Sequence, residues 1–394
     1  MEQVQPQSMV KLQLYKQKLF VPPTANSYKD MVSIINDLGY VQLDAMNIVC
    51  RSQHLFFWAR MENYDKKWIY EAYDNKDVFE NYLYALTLLP THIYPLIKHR
   101  LDNFREKMLE EQKIDYIFDV YNQVKESGES QSSDFSFKST TSNEPWEITP
   151  IQWALNQLWR SGLLAVKRRD NFTKIFTLLE ESLPDNKKEP LGEEKYVEHF
   201  IYKALDNMGM ATAKEIKDYF NLPKKKVNEA IEQLIKDDII QEIEVIGYNE
   251  IHYIQVKDYK TLKDKLSNQI PQHRTLLSPF DNMIRNRSRI YKLFNIDYRL
   301  ESYLPKSQRK YGYYGMPILV EDRIIGVIDL KFQRKLNCII INKLTLFYKM
   351  DIKEHFIHIH FILKNLSAFL EAEEILFGEE LSSEYKEYLS FQTN

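Results

Sequence analysis

Residues 151–178, IQWALNQLWRSGLLAVKRRDNFTKIFTL, change periodicity halfway along, and that change decides the fold. Ile151, Leu155, Leu158 and Trp159 recur at helical spacing and leave Gln152, Asn156, Gln157 and Arg160 outward, so the spacing predicts an amphipathic helix closed by Gly162. Two strand-like runs come next, residues 163–167 and 174–178, joined by the polar turn Arg168, Arg169, Asp170 and Asn171. A helix followed by a hairpin is the order of a winged helix, with the outward helix face as the recognition surface and Arg168 and Arg169 on a basic wing suited to phosphates. Upstream, the serine-rich run 127–143 reads as an exposed loop of the same unit.

The same order recurs further on. Thr212 with Glu215 spells a capping box before a short helix, Asn221, Leu222 and Pro223 make a turn, and Val227, Ala230, Ile231 and Leu234 stripe a second helix whose N-terminal end carries Lys224, Lys225 and Lys226. Residues 239–246 and 252–256 supply a second wing. The Lys-, Asp-, Glu- and Pro-rich segments 183–195 and 257–273 read as connections. Residues 275–350 are mostly β, opened by a short helix capped by Ser278, with runs 313–320 and 323–332 paired across Glu321-Asp322 and a further strand over 338–347. An amphipathic helix over 353–376, with Phe356, Ile359, Leu363, Leu366 and Leu370 on one face, closes the chain. These spans define an α+β chain with five parts: 1–111, a helical or winged-helix region with a Gln-x-Asp motif; 112–190 and 191–272, the two winged helices; 273–350, a sheet or small barrel; and 351–394, the C-terminal helix and tail.

Composition narrows the function. The 394 residues are 44% hydrophobic and 28% charged, enough for packed cores, and none of the ten glycines falls into a nucleotide-binding loop, so no nucleotide cofactor is expected. Cys50 and Cys338 stand far apart without a C-x-x-C partner, which fits a reducing cytoplasm, and no apolar run reaches the roughly 20 residues of a membrane helix. His355, His358 and His360 lack the spacing of a metal site and read as solvated helix surface, with no metal expected. A net charge of −3 argues against nucleic-acid binding by bulk charge and directs attention to local clusters.

One short segment carries chemistry. Met31, Val32, Ile35 and Leu38 predict a helix that stops at Gly39, and in the extended segment beyond it Gln42 and Asp44 alternate with Val41 and Leu43, placing both polar side chains on one side. Gln-x-Asp is a weak signal by spacing alone. Its surroundings, LGYVQLDAMNIVCRSQHLFFWAR over 38–60, resemble the signature of winged-helix DNA glycosylases of the AlkZ/YcaQ type. Two further blocks are similar to that family: FENYLYALTLLP over 79–90, and LLSPFDNMIRNRSRIYKLFNIDYRLESYLPKSQRKYGYYGMPIL over 276–319, with its F-x-x-D-Y-R-L-E-x-Y-x-P and R-x-Y-G-Y-Y spellings.

The resemblance implies stacked winged helices and a β-barrel-like domain in a C-shaped arrangement around duplex DNA, with Gln42 and Asp44 as the catalytic pair in the Asp form of the motif. It also implies action on alkylated purines and interstrand crosslinks. A purine alkylated at N7 or N3 is already a good leaving group, so Asp44 would stabilise the sugar cation and act as base toward water, with Gln42 positioning water and nucleoside. His54 would support the pair or simply pack. No lysine adjoins the motif, so an abasic site without strand cleavage is expected. Arg51, Arg168, Arg169, Lys224, Lys225, Lys226, Arg285, Arg287, Arg309 and Lys310 are the expected contacts to damaged double-stranded DNA, made by a monomer. Paired winged helices alone would equally suit a transcription regulator, or a damage-binding protein indifferent to Gln42 and Asp44.

Overall fold

Capping boxes set three of the helix starts. Ser27 with Asp30 opens Tyr28–Leu38, which ends where Gly39 takes φ +83°; Thr149 with Gln152 opens Pro150–Arg160; and Thr212 with Glu215 opens Ala213–Phe220. The computed structural model describes residues 2–110, 114–135, 149–183, 189–347 and 352–390, so part of the serine-rich run, residues 136–143, lies outside the described residues. The chain forms a mixed α+β fold of two compact units, Met1–Tyr64 with Ile201–Asn394, and Asp65–Phe200.

The smaller unit contains the hairpin Val78–Tyr82 with Leu86–Pro90, the long helices Tyr94–Leu109 and Ile114–Ser127, and the helix Pro150–Arg160 followed by the antiparallel pair Leu164–Asp170 and Thr173–Leu178. Its core joins Ile151, Leu155, Leu158 and Trp159, the stripe read from sequence, to Ile117, Val120, Val124, Val166 and Phe176. The hairpin is longer than the sequence suggested. Asn171 and Phe172 alone form the turn, at φ +47° and +76°, so Arg168 and Arg169 belong to the strand. A register shift between Val166 and Arg168 then reverses the alternation and turns Arg169 inward, where it is buried.

In the larger unit Ala213–Phe220 and Lys224–Lys236 meet around Asn221, which holds the left-handed conformation, and lead into Ile240–Val245 and His252–Gln255. Glu2–Val4 adds to that sheet in parallel and Met210–Ala211 closes its other edge. The segment expected as a connection, 257–273, is mostly helical instead. Leu262 and Leu266 enter the core, and Lys16 neutralises the buried Asp258 at 3.0 Å, which lets a charged run pack.

A five-stranded half-barrel sheet completes the unit, ordered Arg274–Leu276, Gly315–Val320, Arg323–Gln333, Cys338–Leu346 and Glu374–Phe377. Glu321 at φ +54° turns the central hairpin. The short helices near its start are capped by Asp281 and Asn286 and not by Ser278, whose hydroxyl accepts from the Phe280 amide one turn earlier. Gly312, at φ +102°, lies so close to Asp329 that a Cβ would fall 2.3 Å from its carboxylate, so no other residue fits there.

The last long helix, Ile352–Leu370, covers this sheet with Phe356, Ile359, Leu363, Leu366 and Leu370, the face expected from sequence. It is shorter than periodicity predicted. Glu371 adopts φ +58°, and Glu374–Phe377 pairs in parallel with Cys338, Ile339, Ile340 and Ile341, so sheet pairing overrides helix propensity. His355 is buried, and His358 and His360 are half-buried, bonded to Arg274 at 3.2 Å and to the Tyr388 carbonyl at 3.0 Å, which corrects the solvated-surface reading. Among the described residues no cluster of metal-ligating side chains occurs, and no helix is long and apolar enough to cross a membrane.

Candidate active site

Once Gly39 has ended the helix, Tyr40 anchors the extended segment. Its ring is buried, its hydroxyl meets that of Tyr219 at 2.8 Å, and its carbonyl accepts from Asn282 Nδ2 at 3.1 Å. Val41 and Leu43 are buried while Gln42 and Asp44 are half-exposed, the alternation expected of an extended segment. The Ser52 hydroxyl donates to the Gln42 carbonyl at 3.3 Å. Gln42 and Asp44 therefore share one side of a backbone held at both ends.

Beyond Leu43 the chain is irregular, and its backbone groups are satisfied individually. Asp44 Oδ1 accepts from the Met46 amide at 2.8 Å, an Asx turn that orients the carboxylate. Arg51 Nη1 donates to the Ala45 carbonyl at 2.9 Å, and Arg334 donates to the carbonyls of Asn47 and Val49 at 2.9 and 3.2 Å. Below the segment Val49 and Cys50 pack with Tyr314, which is fully buried.

The electrostatics suit a base. Burial lifts the Asp44 carboxyl above the ordinary aspartate range, and the Met46 amide and the Arg51 charge pull it back part of the way. Burial also drives the Tyr314 phenol well upward, with a further push from the Asp44 charge, so this tyrosine is a neutral hydroxyl at any working pH. A half-desolvated carboxylate can stabilise a cation more strongly than one in water and can still accept a proton from water. His54 Nδ1 shares a 2.9 Å hydrogen bond with Tyr64, both side chains being buried, which fits the packing role.

The expected DNA contacts divide. Lys224 and Lys225 are exposed and Lys226 half-buried at the start of their helix, with Lys225 reaching Glu229 at 3.8 Å. Arg287 and Lys310 are exposed; Arg285 lies 4.5 Å over the Tyr219 ring and Arg309 lies 4.9 Å over that of Tyr313. Arg168 pairs with Glu129, and Lys167 joins the same carboxylate. Arg169 does not face solvent as a wing residue would: it grips buried Glu80 through Nε and Nη2 at 2.6 Å each, and Tyr73 donates to the same Glu80 at 2.6 Å. Arg169 thus makes a structural tie through a desolvated ion pair and not the expected phosphate contact.

Asn282, Tyr219, Arg334 and Tyr314 carry no local signal of the site in the sequence, although Asn282 and Tyr314 lie within the block 276–319. Their roles depend on contacts across more than sixty positions, as between Tyr219 and the Asn282 carbonyl at 3.3 Å.

Gln42 and Asp44 thus lie on an anchored extended segment in the unit that carries the half-barrel sheet, and comparison with known families gives the class of protein. The model of the family "DNA glycosylase AlkZ-like" matches residues 35–349, and the chain belongs to that family. Among solved structures the fold is similar to that of the Streptomyces sahachiroi DNA glycosylase AlkZ, with a TM-score of 0.63 over 97% of this chain and 100% of that one at 13% identity.

Proposed function

We propose that this glycosylase hydrolyses the N-glycosidic bond of purines alkylated at N7 or N3 in duplex DNA, unhooks interstrand crosslinks formed through the same positions, and leaves an abasic site. The observation that carries the proposal is the Asp44 carboxylate, half-buried and oriented by the Met46 amide on the side it shares with Gln42. Alkylation gives the base a positive charge and makes it leave readily, so the task left to the protein is to stabilise a sugar cation and deliver water. Asp44 does both, and Gln42 orients water and nucleoside.

No step requires a metal or an amine nucleophile. Duplex containing N7-methylguanine should release free base, and its strand should break only after alkaline treatment. Strand breakage without alkali, trapped by borohydride as a protein adduct, would replace hydrolysis with a lyase mechanism. A nitrogen-mustard crosslink in the same assay tests unhooking.

The helix–turn–helix–hairpin elements serve in this reading as winged helices that grip the DNA backbone without reading sequence. Replacing Lys224, Lys225 and Lys226 together by Gln should lower affinity alike for unrelated duplexes and reduce the slope of log K against log salt by about 1 to 3. A loss confined to one sequence would favour a regulator over a repair enzyme.

A further inference from the structure

Residues 298–314 form a surface loop whose ends are pinned together. The Tyr298 hydroxyl donates to the Gly315 carbonyl at 2.8 Å, and the Tyr313 and Tyr314 amides donate to the Asp329 carboxylate at 2.9 Å each. Within the loop buried Glu301 accepts from the Tyr311 amide at 2.6 Å, and Arg309 Nε donates to the Leu304 carbonyl at 2.9 Å. Tyr298, Tyr311 and Tyr314 turn inward, none more than 4% exposed.

Tyr303 does the reverse. At 90% exposed it is the most solvent-accessible large apolar side chain among the described residues. Arg299, Lys306 and Lys310 on the same loop are exposed with it, Lys306 sharing a surface ion pair with Glu380 at 2.8 Å. A ring left in water on an otherwise anchored loop contributes no burial to the fold, and the three exposed cations carried by the same loop match a polyanion. The loop also reaches the reacting centre. Tyr314, at its far end, packs with Val49 and Cys50 beneath the segment that bears Asp44. Five peptide steps from Tyr298 limit Tyr303 to about 18 Å from the pinned base, roughly five stacked base pairs.

We propose that Tyr303 is a duplex wedge: as the damaged nucleotide leaves the stack for Asp44, the Tyr303 ring enters and stacks on the bases left behind, with Arg299, Lys306 and Lys310 on the flanking phosphates. The proposal rests on the glycosylase reading above and adds to it the element that opens the DNA. Extrusion of a base costs stacking, and an aromatic side chain that replaces the lost stack recovers part of that cost in the transition state for extrusion.

Two measurements test it. In single-turnover release of N7-methylguanine from duplex, Tyr303→Ala should lose about 10- to 100-fold in rate while Tyr303→Phe, which keeps the ring, stays within about twofold of wild type. On a duplex carrying a tetrahydrofuran abasic analogue opposite 2-aminopurine, wild type and Tyr303→Phe should change the 2-aminopurine emission on binding, and Tyr303→Ala should bind without that change. Wild-type release rates in Tyr303→Ala, or an emission change equal to wild type from that variant, would overturn the wedge. The emission assay involves no bond cleavage, so an intact response from a wild-type protein that releases no base supports the wedge and sinks only the proposed chemistry.

Discussion

Asp44→Asn should release N7-methylguanine about 10²- to 10⁴-fold more slowly than wild type while binding abasic-analogue duplex with unchanged affinity. The amide is isosteric and its oxygen can still accept from the Met46 amide, so the Asx turn survives; what disappears is the negative charge that stabilises the sugar cation and the basicity that activates water. Gln42→Ala, which removes positioning and leaves the charge, should lose less. The pH dependence identifies the group. Asp44 must be ionised to act, so the rate should fall as pH drops through its pKa, and because burial raises that pKa the acid limb should lie above the ordinary aspartate value of about 3.9. Arg51→Gln removes a charge that holds the carboxyl down and should move the limb to higher pH. Equal rates for wild type and Asp44→Asn, or an acid limb that persists in the variant, would remove Asp44 from the mechanism.

How far the sequence could lead is seen in which contacts it left out. The alternation of Val41, Gln42, Leu43 and Asp44 after a glycine stop is local, and the structure has that alternation. The helix stripes of 151–159 and 227–234 are local too, and their apolar residues, Ala230 apart, lie in the cores or are buried. The inward turn of Arg169 is not legible, because its direction depends on one extra residue in the strand and a register shift leaves no mark in composition. Residues 371–376 continue the helical periodicity, and the strand that overrides it starts more than thirty positions earlier. A charged stretch such as 257–266 resembles a linker until Lys16 is placed beside Asp258. Periodicity reports which face is apolar; it carries no information on which distant acid cancels a buried base.

Arg60 shows the same principle in a fully buried ion pair. Arg60 closes the first sequence block and Asp281 lies within the last, 221 positions apart, yet their side chains are fully buried together, with two guanidinium nitrogens 2.8 Å from the two carboxylate oxygens. Gln17 supplies its carbonyl and Oε1 at 2.9 and 3.0 Å, and the Phe56 ring lies 3.8 Å from the guanidinium carbon. Arg60→Met should cost about 3–5 kcal/mol, because it strips the buried Asp281 carboxylate of its cation and leaves it the neutral Met283 amide, 2.9 Å away. The shift of the urea midpoint at unchanged slope measures that loss. Adding Asp281→Asn should recover part of it, since the uncompensated charge goes while an acceptor for Met283 stays. Asn282, next in the chain, holds the Tyr40 carbonyl two residues before Gln42, so loosening this tie should also lower base release below the unfolding midpoint. A loss under about 1 kcal/mol, the range of an exposed pair, would mean that the two blocks meet through packing alone and that the ion pair orients the site without holding it together.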